Sequence, residues 1–287
     1  MSEIVVKYIA SSGNEYELKT DPWKIASAAF HTYSWGKSTT KIKYGVRLEE
    51  FSKEAQNYET TLYLVGSENE NRKALKALHD DFERDIFSKT PGKFVFNKDY
   101  IYGYVLESST APTEGNQWVE NKLKIFCPSP FWISEQLISL RPVERSGDSA
   151  QDPWLDYTFD YPFEYSHSVS ESYSTIIDYY TDVAFKMIIY GPIVSPSIQI
   201  GNNVYSVNCV VADGEYLTID SRDTTPRDQQ VFITEQNGSK INVFDLRDPN
   251  HQILKRIPSG SVTITYPRTY GVDIYLFKER SEPDWTI

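Results

Sequence analysis

The chain has 287 residues, 14% of them aromatic, a length that allows two domains with separate cores and a composition that favours sheets. Its formal charge of −11 divides into −2 over residues 1–140 and −9 over residues 141–287, and this acidic balance without a basic patch excludes specific nucleic-acid binding. The sequence has no run of 18 apolar residues and no signal-peptide pattern, so we expect a soluble protein that is made in a cytoplasm and has no membrane partner.

A β-hairpin is predicted at the start of the chain. Residues 3–10 and 15–19 have strand patterns and flank the turn Ser11-Ser12-Gly13-Asn14. Residues 23–47 follow neither the helical nor the strand period, which indicates short strands and loops. Tyr58–Val65 is predicted as a further strand that ends at Gly66.

One long helix is predicted after Gly66. Ser67 and Glu70 form a capping box, in which hydroxyl and carboxylate satisfy backbone donors. An apolar stripe follows at steps of three and four residues: Leu75, Leu78, Phe82 and Ile86. Pro91-Gly92 is predicted to terminate the helix. The helix either covers the open face of the neighbouring strands or binds a partner.

Three more strands complete the first half. They are predicted at Lys93–Phe96, Tyr100–Glu107 and Trp118–Cys127. Residues 1–138 are therefore predicted to form an α+β domain in which one long helix packs on a split barrel or sheet, within a mainly β protein.

A proline-interrupted stretch near the middle of the chain is the candidate domain junction. The strand before it places Leu123, Ile125 and Cys127 on one face. Two prolines then prevent a continuous ladder, and an apolar group follows. The candidate junction residues are Cys127, Pro128, Pro130, Phe131 and Trp132. An ordinary strand that runs into a turn also fits these residues.

Residues 139–171 are predicted as a linker and an aromatic-rich loop. The segment starts polar and without periodicity, and aromatic residues then alternate with aspartates between Pro153 and Pro162. Such a loop can bind a sugar or a peptide, or it can lie over its own domain. The candidate partner-contact residues are Trp154, Tyr157, Phe159, Tyr161 and Phe163.

Residues 172–287 are predicted as an antiparallel β-sandwich. Strand patterns recur at short intervals without a helix between them. The predicted strands are Ser174–Tyr180, Ala184–Ile189, Ser197–Ile200, Asn203–Cys209, Tyr216–Asp220, Gln229–Thr234, Ser261–Tyr266 and Val272–Glu279.

The sequence offers no pattern for catalysis, a cofactor or a metal. The histidines are scattered, and no nucleophile elbow, phosphate-binding loop or dinucleotide fingerprint occurs. Four aspartates that could bind calcium lack the spacing of a calcium loop, and they are better explained as solvated strand ends: Asp220, Asp223, Asp245 and Asp248. Cys127 and Cys209 are predicted to be buried free thiols. We therefore expect no enzyme.

The order of these segments resembles the distal tail protein (Dit) family of long-tailed phages of Gram-positive hosts. The resemblance rests on the helix after YETTLYLVG, on Pro91-Gly92-Lys93 and on the junction stretch. In the second half it rests on Gly191-Pro192 with Pro196, on residues 214–221 and 257–260, and on the closing segment 279–285. Many relatives have Asp before the second proline of the junction, where this chain has Ser129.

The resemblance implies a structural part of the virion. Distal tail proteins form a ring, typically a homohexamer, between the tail tube protein and the tail-tip or tail-associated lysin protein, and DNA passes through the lumen. The N-terminal domain forms the ring, and a galectin-like β-sandwich projects outward as a platform for receptor-binding proteins. The implied location is the tail tip of the virion, with the host cytoplasm before assembly.

Two other functions remain open on the sequence. The first is a carbohydrate-binding adhesin that acts through the galectin-like domain, because such sandwiches bind sugars and the chain is rich in tyrosine. The second is a cell-wall hydrolase, which the missing catalytic residues disfavour.

Overall fold

The computed structural model describes residues 4–112, 118–142 and 172–285. Within these ranges the fold is mainly β, as predicted, with one long α-helix. The chain divides into two compact units, residues 1–135 with 279–287, and residues 136–278. The first unit thus includes the closing segment that the sequence analysis grouped with residues 172–287, and the domain limits at 138 and 172 stay a prediction.

The first unit is built from antiparallel strands and one α-helix, α1 (Glu68–Ser88), with a 3-10 helix at Ser27–His31. Its strands are β1 (Val6–Ile9), β2 (Glu15–Glu17), β3 (Trp23–Ile25), β4 (Gly36–Ile42), β5 (Gly45–Ser52), β6 (Gln56–Val65), β7 (Gly92–Phe96), β8 (Asp99–Pro112), β9 (Trp118–Cys127) and the start of β10 (Trp132–Leu140).

Seven of these strands form one curved sheet in the order β2-β1-β7-β8-β9-β6-β3. The long strand β8 makes the curve, because its first part pairs with β7 and its second part pairs with β9. The register of β8 against β9 shifts between Val105 and Glu107, as a β-bulge does where a strand bends. The Ile25 N–H donates to the Leu18 carbonyl at 2.8 Å and links the two ends of the sheet.

Aromatic side chains fill the space inside this sheet. Trp132 is fully buried, and its indole N–H donates to the Tyr58 hydroxyl at 3.0 Å. Phe30 packs edge-on against both rings, with centroids 5.6 Å away. The core continues through Phe94 to Tyr8 and Phe82. These contacts join the junction stretch, the 3-10 helix, two strand layers and α1 into one core.

Helix α1 begins and ends close to the predicted positions, but its caps differ in detail. Ser67 accepts the Glu70 N–H, as predicted, but the Glu70 carboxylate accepts the Ser67 hydroxyl at 2.7 Å, where a capping box predicts the backbone N–H. The left-handed residue after the last turn is Lys89, at φ 54°. Pro91 lies two residues beyond this cap, where a proline that ends a helix is expected, and Gly92 belongs to β7.

The buried face of α1 is partly polar. Leu78 and Phe82 are buried as predicted, but Ile86 is 39% exposed, so its place in the apolar stripe was wrong. Asp81 and Asp85 are buried on that face. They accept hydrogen bonds from the hairpin of β1 and β2. The Ser11 N–H and the Tyr8 hydroxyl donate to Asp85, and the side chains of Ser12, Asn14 and Tyr16 donate to Asp81. The two carboxylates therefore fasten α1 to the first hairpin.

The Asp81 carboxylate is expected to make the stability of the first unit depend on acid pH. Burial alone would raise the pKa of Asp81, but hydrogen bonds from Tyr16, Asn14 and Ser12 and the Arg84 guanidinium together lower it. A carboxyl whose folded pKa is lowered stabilises the fold above its unfolded pKa of about 4, and this stabilisation is lost as the pH falls through the folded pKa.

We expect Asp81→Asn to lower the free energy of unfolding near neutral pH by about 1–3 kcal/mol, because charge-assisted hydrogen bonds are lost. Urea denaturation at neutral and at acid pH measures the difference, which should shrink in acid. The exposed neighbour Asp80 provides the control as Asp80→Asn. An equal loss of unfolding free energy in Asp81→Asn and Asp80→Asn would show that the attachment of the first hairpin to α1 does not depend on Asp81.

The second unit contains the remainder of β10 and eleven further strands. They are β11 (Ser172–Ile177), β12 (Ala184–Tyr190), β13 (Ile193–Val194), β14 (Ser197–Ile200), β15 (Asn203–Ser206), β16 (Val210–Val211), β17 (Tyr216–Asp220), β18 (Val231–Thr234), β19 (Lys240–Asn242), β20 (Gly260–Thr265) and most of β21 (Val272–Arg280). Short 3-10 helices lie at Arg227–Gln229 and Phe244–Leu246.

Two antiparallel sheets and one short ribbon make up this unit. One sheet has the order β19-β18-β17-β12-β21, the other has the order β11-β20-β14-β15, and β13 pairs with β16. Alternate residues of both sheets enter one apolar core, among them Met187, Ile274, Ile198 and Ile264. The predicted antiparallel strands are present, although β11 ends at Ile177 and β15 at Ser206, short of the predicted ends at Tyr180 and Cys209. Strands β13, β16 and β19 were not predicted.

Gly191 provides a sharp test of the packing in this unit. A Cβ atom at Gly191 would lie 2.0 Å from the Ala212 carbonyl oxygen and 2.8 Å from that of Val211. Backbone atoms cannot rotate away as a side chain can, so we expect Gly191→Ala to lower the free energy of unfolding by about 3 kcal/mol.

Gly271 in the same unit is the matched control for this prediction. A Cβ atom there meets nothing closer than the Tyr190 ring at 3.4 Å, so Gly271→Ala should be tolerated. Chemical denaturation of both variants makes the comparison. If Gly191→Ala were as stable as Gly271→Ala, this would contradict the close approach of the Val211 and Ala212 carbonyl groups to Gly191.

The described residues after Lys278 pack in the first unit. The Asp284 N–H donates to the buried Asp99 carboxylate at 2.7 Å, and the Trp35 indole N–H donates to the Ser281 hydroxyl at 3.2 Å. The Trp285 ring stacks on His31 with centroids 3.3 Å apart. The chain thus leaves the first unit within β10 and re-enters it within β21.

Candidate assembly surfaces

The hairpin of β4 and β5 is the most exposed apolar element of the first unit. Every residue of both strands is exposed. Within the described part of the chain, these strands pair only with each other. We call residues 36–52 the arm. The sequence indicated short strands and loops over 23–47 and did not indicate an arm of this length.

A β-bulge brings three apolar side chains of β5 to one face of the arm, while Ile42 of β4 belongs to the other face. Residues directly opposite each other in a ladder point to the same side. Val46 lies opposite Lys41 and Leu48 opposite Thr39; the register then shifts, and Phe51 lies opposite Lys37. Since Lys37, Thr39 and Lys41 alternate along β4, all three apolar residues share their face. Val46, Leu48 and Phe51 are 60%, 47% and 59% exposed.

The arm is basic in an acidic chain. It contains four basic residues, Lys37, Lys41, Lys43 and Arg47, and two acidic ones, Glu49 and Glu50. Its charge is therefore +2, while the whole chain carries −11. An apolar face flanked by lysines suits an acidic protein surface.

An aromatic cluster holds the base of the arm. Tyr33 and Trp35 precede β4, Lys53 follows β5, and Phe131 comes from the junction stretch. The Lys53 ammonium lies 4.7 Å from the ring centroid of Phe131, 5.5 Å from that of Trp35 and 5.7 Å from that of Tyr33. We call Tyr33, Trp35 and Phe131 the aromatic cage.

The five candidate junction residues all lie in the first unit. Cys127 ends β9 and Trp132 begins β10, and both are fully buried. Pro128 and Pro130 separate the two strands, as predicted, and Phe131 belongs to the aromatic cage. The first unit extends to Glu135. Their role as a junction stays a prediction.

The candidate partner-contact residues lie outside the described residues. They are Trp154, Tyr157, Phe159, Tyr161 and Phe163. Their role in binding a partner also stays a prediction.

Of the four aspartates considered for calcium, Asp223 and Asp245 are exposed, as expected of solvated strand ends. Asp220 is buried at the end of β17, so the prediction was wrong for it, and its carboxylate is held in an ion pair. Asp220 accepts from Arg222, Asp223 from Arg256 and Asp248 from His251. Across residues 4–112, 118–142 and 172–285, no three histidine, cysteine or acidic side chains come together as a metal site.

The two cysteines are buried and free, as predicted. Burial raises the pKa of the Cys127 thiol to about 12 and also raises that of Cys209. Both thiols are therefore protonated at neutral pH, which removes their nucleophilic form.

A histidine and a serine meet on the first unit in a polar network. His79 Nε2 lies 2.9 Å from the Ser108 hydroxyl, a distance that a base and a nucleophile would also show. The fully buried Asn121 amide donates to both Ser108 and Thr110. The serine hydroxyl therefore satisfies a buried amide, and this contact is explained by packing between α1 and the strands below it.

An open groove of about 690 Å³ lies on the β6, β8 and β9 face of the first unit. Glu59, Glu107, Lys122 and Lys124 line it together with threonine and serine side chains. Lys124 pairs with Glu107 at 2.9 Å and approaches Glu59 at 3.9 Å. Because opposite charges neutralise one another along this face, the groove has no net charge with which to hold an ionic ligand.

No helix of the described residues is long and apolar enough to cross a membrane.

Comparison with solved structures identifies the fold. The chain is similar to the Dit protein (gp 19.1) of phage SPP1, described as a paradigm of the hub adsorption apparatus in phages that infect Gram-positive hosts. The identity is 12% and the TM-score 0.58, over 97% of this chain and 100% of that one.

Two structures of the phage P2 baseplate in its activated conformation, one with calcium and one with strontium, contain a similar chain. Identities are 13% and 14%, and both TM-scores are 0.56, over 98% of this chain and 100% of those chains. No protein-family model and no curated protein matches the sequence. The predicted resemblance to the phage distal tail proteins is thus confirmed in the fold.

Proposed function

We propose that this chain is a distal tail protein that forms a homohexameric ring at the tail tip of a phage. The ring joins the tail tube protein to the tail-tip or tail-associated lysin protein, after assembly in the host cytoplasm. The observation that carries the proposal is the likeness to the SPP1 hub protein along 97% of this chain and all of that one. A likeness of this extent includes both units and their order.

The arm supplies a surface suited to ring closure. A closed ring needs two different complementary surfaces on each copy. The face of Val46, Leu48 and Phe51 with its two lysines is one such surface, and the acidic remainder of a neighbouring copy is the other. The exposed strand edges of the arm can add backbone hydrogen bonds to the contact.

The charge of the chain suits a passage for DNA. A formal charge of −11 per copy gives a hexamer a strongly acidic surface. Duplex DNA is itself densely negative, so a lumen without basic clusters lets the genome pass without holding it. No sequence-specific contact with nucleic acid is part of this function.

The second unit is proposed as a galectin-like platform for a receptor-binding protein. Its two antiparallel sheets around one core support this assignment. The whole chain acts through shape and contact and catalyses no reaction, so peptidoglycan zymography should show no clearing.

Carbohydrate binding by the second unit is the alternative function. Tyr180 is 77% exposed and packs on Tyr179 with ring centroids 4.1 Å apart, and an exposed aromatic face is a surface on which sugar rings stack. Calorimetric titration with host cell-wall saccharide tests this alternative. Binding that Tyr180→Ala abolishes would favour it.

The ring is tested by light scattering after size exclusion, together with negative-stain electron microscopy. The expected species has about six times the chain mass of 33.1 kDa and a central hole. Phage particles assembled without this chain should lack a complete tail tip. Particles that acquire a complete tip and infect normally without it would overturn the proposal.

A further inference from the structure

The ammonium group of Lys53 is buried without a hydrogen-bond acceptor. Its nitrogen atom is almost completely shielded from solvent and has no hydrogen-bond partner among the described residues. Three rings surround it within 5.7 Å. An unpaired buried cation is costly unless another interaction compensates for it. Attraction to aromatic faces is the compensation available here, and it is strongest where water is excluded.

The aromatic cage brings together segments that are distant in sequence. Trp35 lies directly before β4 and Lys53 directly after β5, so the cluster ties both ends of the arm at one place. Phe131 belongs to the stretch between β9 and β10, and its ring centroid lies 6.1 Å from that of Trp35. Trp35 also donates to Ser281 at 3.2 Å. The base of the arm is therefore attached to the core strands and to the returning end of the chain.

The direction of the arm depends on this attachment. The strands β4 and β5 pair only with each other within the described chain, and all their side chains are exposed. A hairpin attached only at its base pivots there unless the base is fixed. The angle of the arm determines whether its apolar face meets a neighbouring copy in a geometry that closes a ring.

We propose that Lys53 and the aromatic cage form a lock that sets the angle of the arm and so controls ring assembly. Lys53 is a positioning residue in this proposal, because it acts through the arm and does not itself contact the neighbouring copy. The proposal rests on the proposed function of the arm as a ring contact, but the lock itself is a property of a single chain. It can therefore be measured without a ring.

Spin labels at the tip of the arm and on α1 measure the angle directly. Lys43→Cys and Glu83→Cys provide exposed attachment sites, while the native thiols of Cys127 and Cys209 are buried. Double electron–electron resonance, with labelled chain diluted into unlabelled chain, gives the distance distribution between the labels. We compare Lys53→Met, which keeps length without charge, with Lys53→Arg, which keeps a cation that stacks on rings.

We expect a narrow distance distribution for the parent and for Lys53→Arg. In Lys53→Met the distribution should broaden by about twofold or more, because the attraction of the cation to the rings is removed. Trp35→Leu removes one ring of the cage at an exposed position, and it should broaden the distance distribution to a similar extent. This variant provides a second test if Lys53→Met fails to fold. Distributions equally narrow in Lys53→Met and in Trp35→Leu would overturn the proposal.

Ring assembly then separates the lock from the proposed function. Where the parent forms a ring, Lys53→Met should raise the protein concentration needed for assembly by about tenfold or more. Lys53→Arg should assemble at the same concentration as the parent. A parent that forms no ring, but whose arm broadens in Lys53→Met, would contradict the proposed function and leave the lock supported. A ring that assembles equally well in all variants would show that the angle of the arm does not control assembly.

Discussion

Replacing Trp132 with alanine is expected to lower the free energy of unfolding of the first unit by about 3–5 kcal/mol. Trp132 is fully buried, and its ring packs edge-on against Phe30 and Tyr58. Alanine would leave a large cavity among rigid aromatic rings, which cannot collapse into it. It would also remove the indole donor from the buried Tyr58 hydroxyl.

Chemical denaturation followed by circular dichroism measures this loss. Trp132→Phe keeps most of the ring but removes the N–H group, so it separates the hydrogen bond, about 1 kcal/mol, from the packing. Trp118 is 37% exposed and lies near Tyr63 at the far end of β9, and Trp118→Ala is the control with a small expected loss. A Trp132→Ala protein as stable as the control would show that the aromatic core does not depend on this residue.

The double substitution Val46→Ser, Leu48→Ser is expected to prevent ring assembly without unfolding the chain. Both side chains lie on the apolar face of the arm and are exposed in the single chain, so their loss costs the monomer little. In a ring they would be buried against the next copy, where truncation of central apolar residues weakens binding by about tenfold or more per site. Light scattering should show the mass falling toward that of one chain, 33.1 kDa.

The second unit offers a matched control for this variant. Val194 and Val210 lie opposite each other in the β13–β16 ribbon and are 70% and 63% exposed. Val194→Ser, Val210→Ser therefore removes a similar amount of exposed apolar surface outside the arm and should leave the ring intact. Rings that survive the arm variant, or that are lost equally in the control, would exclude the arm as the ring contact.

Local patterns predicted the regular elements of this fold well. Strands β14 and β17 occupy the predicted residues. In β14 the alternation of exposed and buried residues is strict, as it is in a strand with one buried face. The proline pair after Cys127 ended β9 where predicted, since neither proline can donate to a ladder. The order of elements then matched the distal tail fold, although no single motif is specific to it.

Contacts between distant residues account for what the sequence did not predict. The periodicity of α1 placed Ile86 inside, but Asp85 occupies that face because Ser11 and Tyr8, more than 70 positions away, supply its hydrogen bonds. The arm was not predicted as one element because neither of its faces is buried in the single chain, so it lacks the alternation of a packed strand. The cage around Lys53 could not be predicted, since Phe131 is far away in sequence.

The nested order of the chain also determines when each unit can be completed during synthesis. Residues 136–278 form the second unit as one continuous segment, whereas the first unit requires residues after Lys278 to cover His31 and to reach Asp99 and Trp35. On the ribosome the second unit is therefore available to fold while the first still lacks its last contacts. Ser281, which holds Trp35 at the base of the arm, is made after all of the second unit. A nascent chain thus completes the contacts at the base of the arm only after the whole of the second unit has been made.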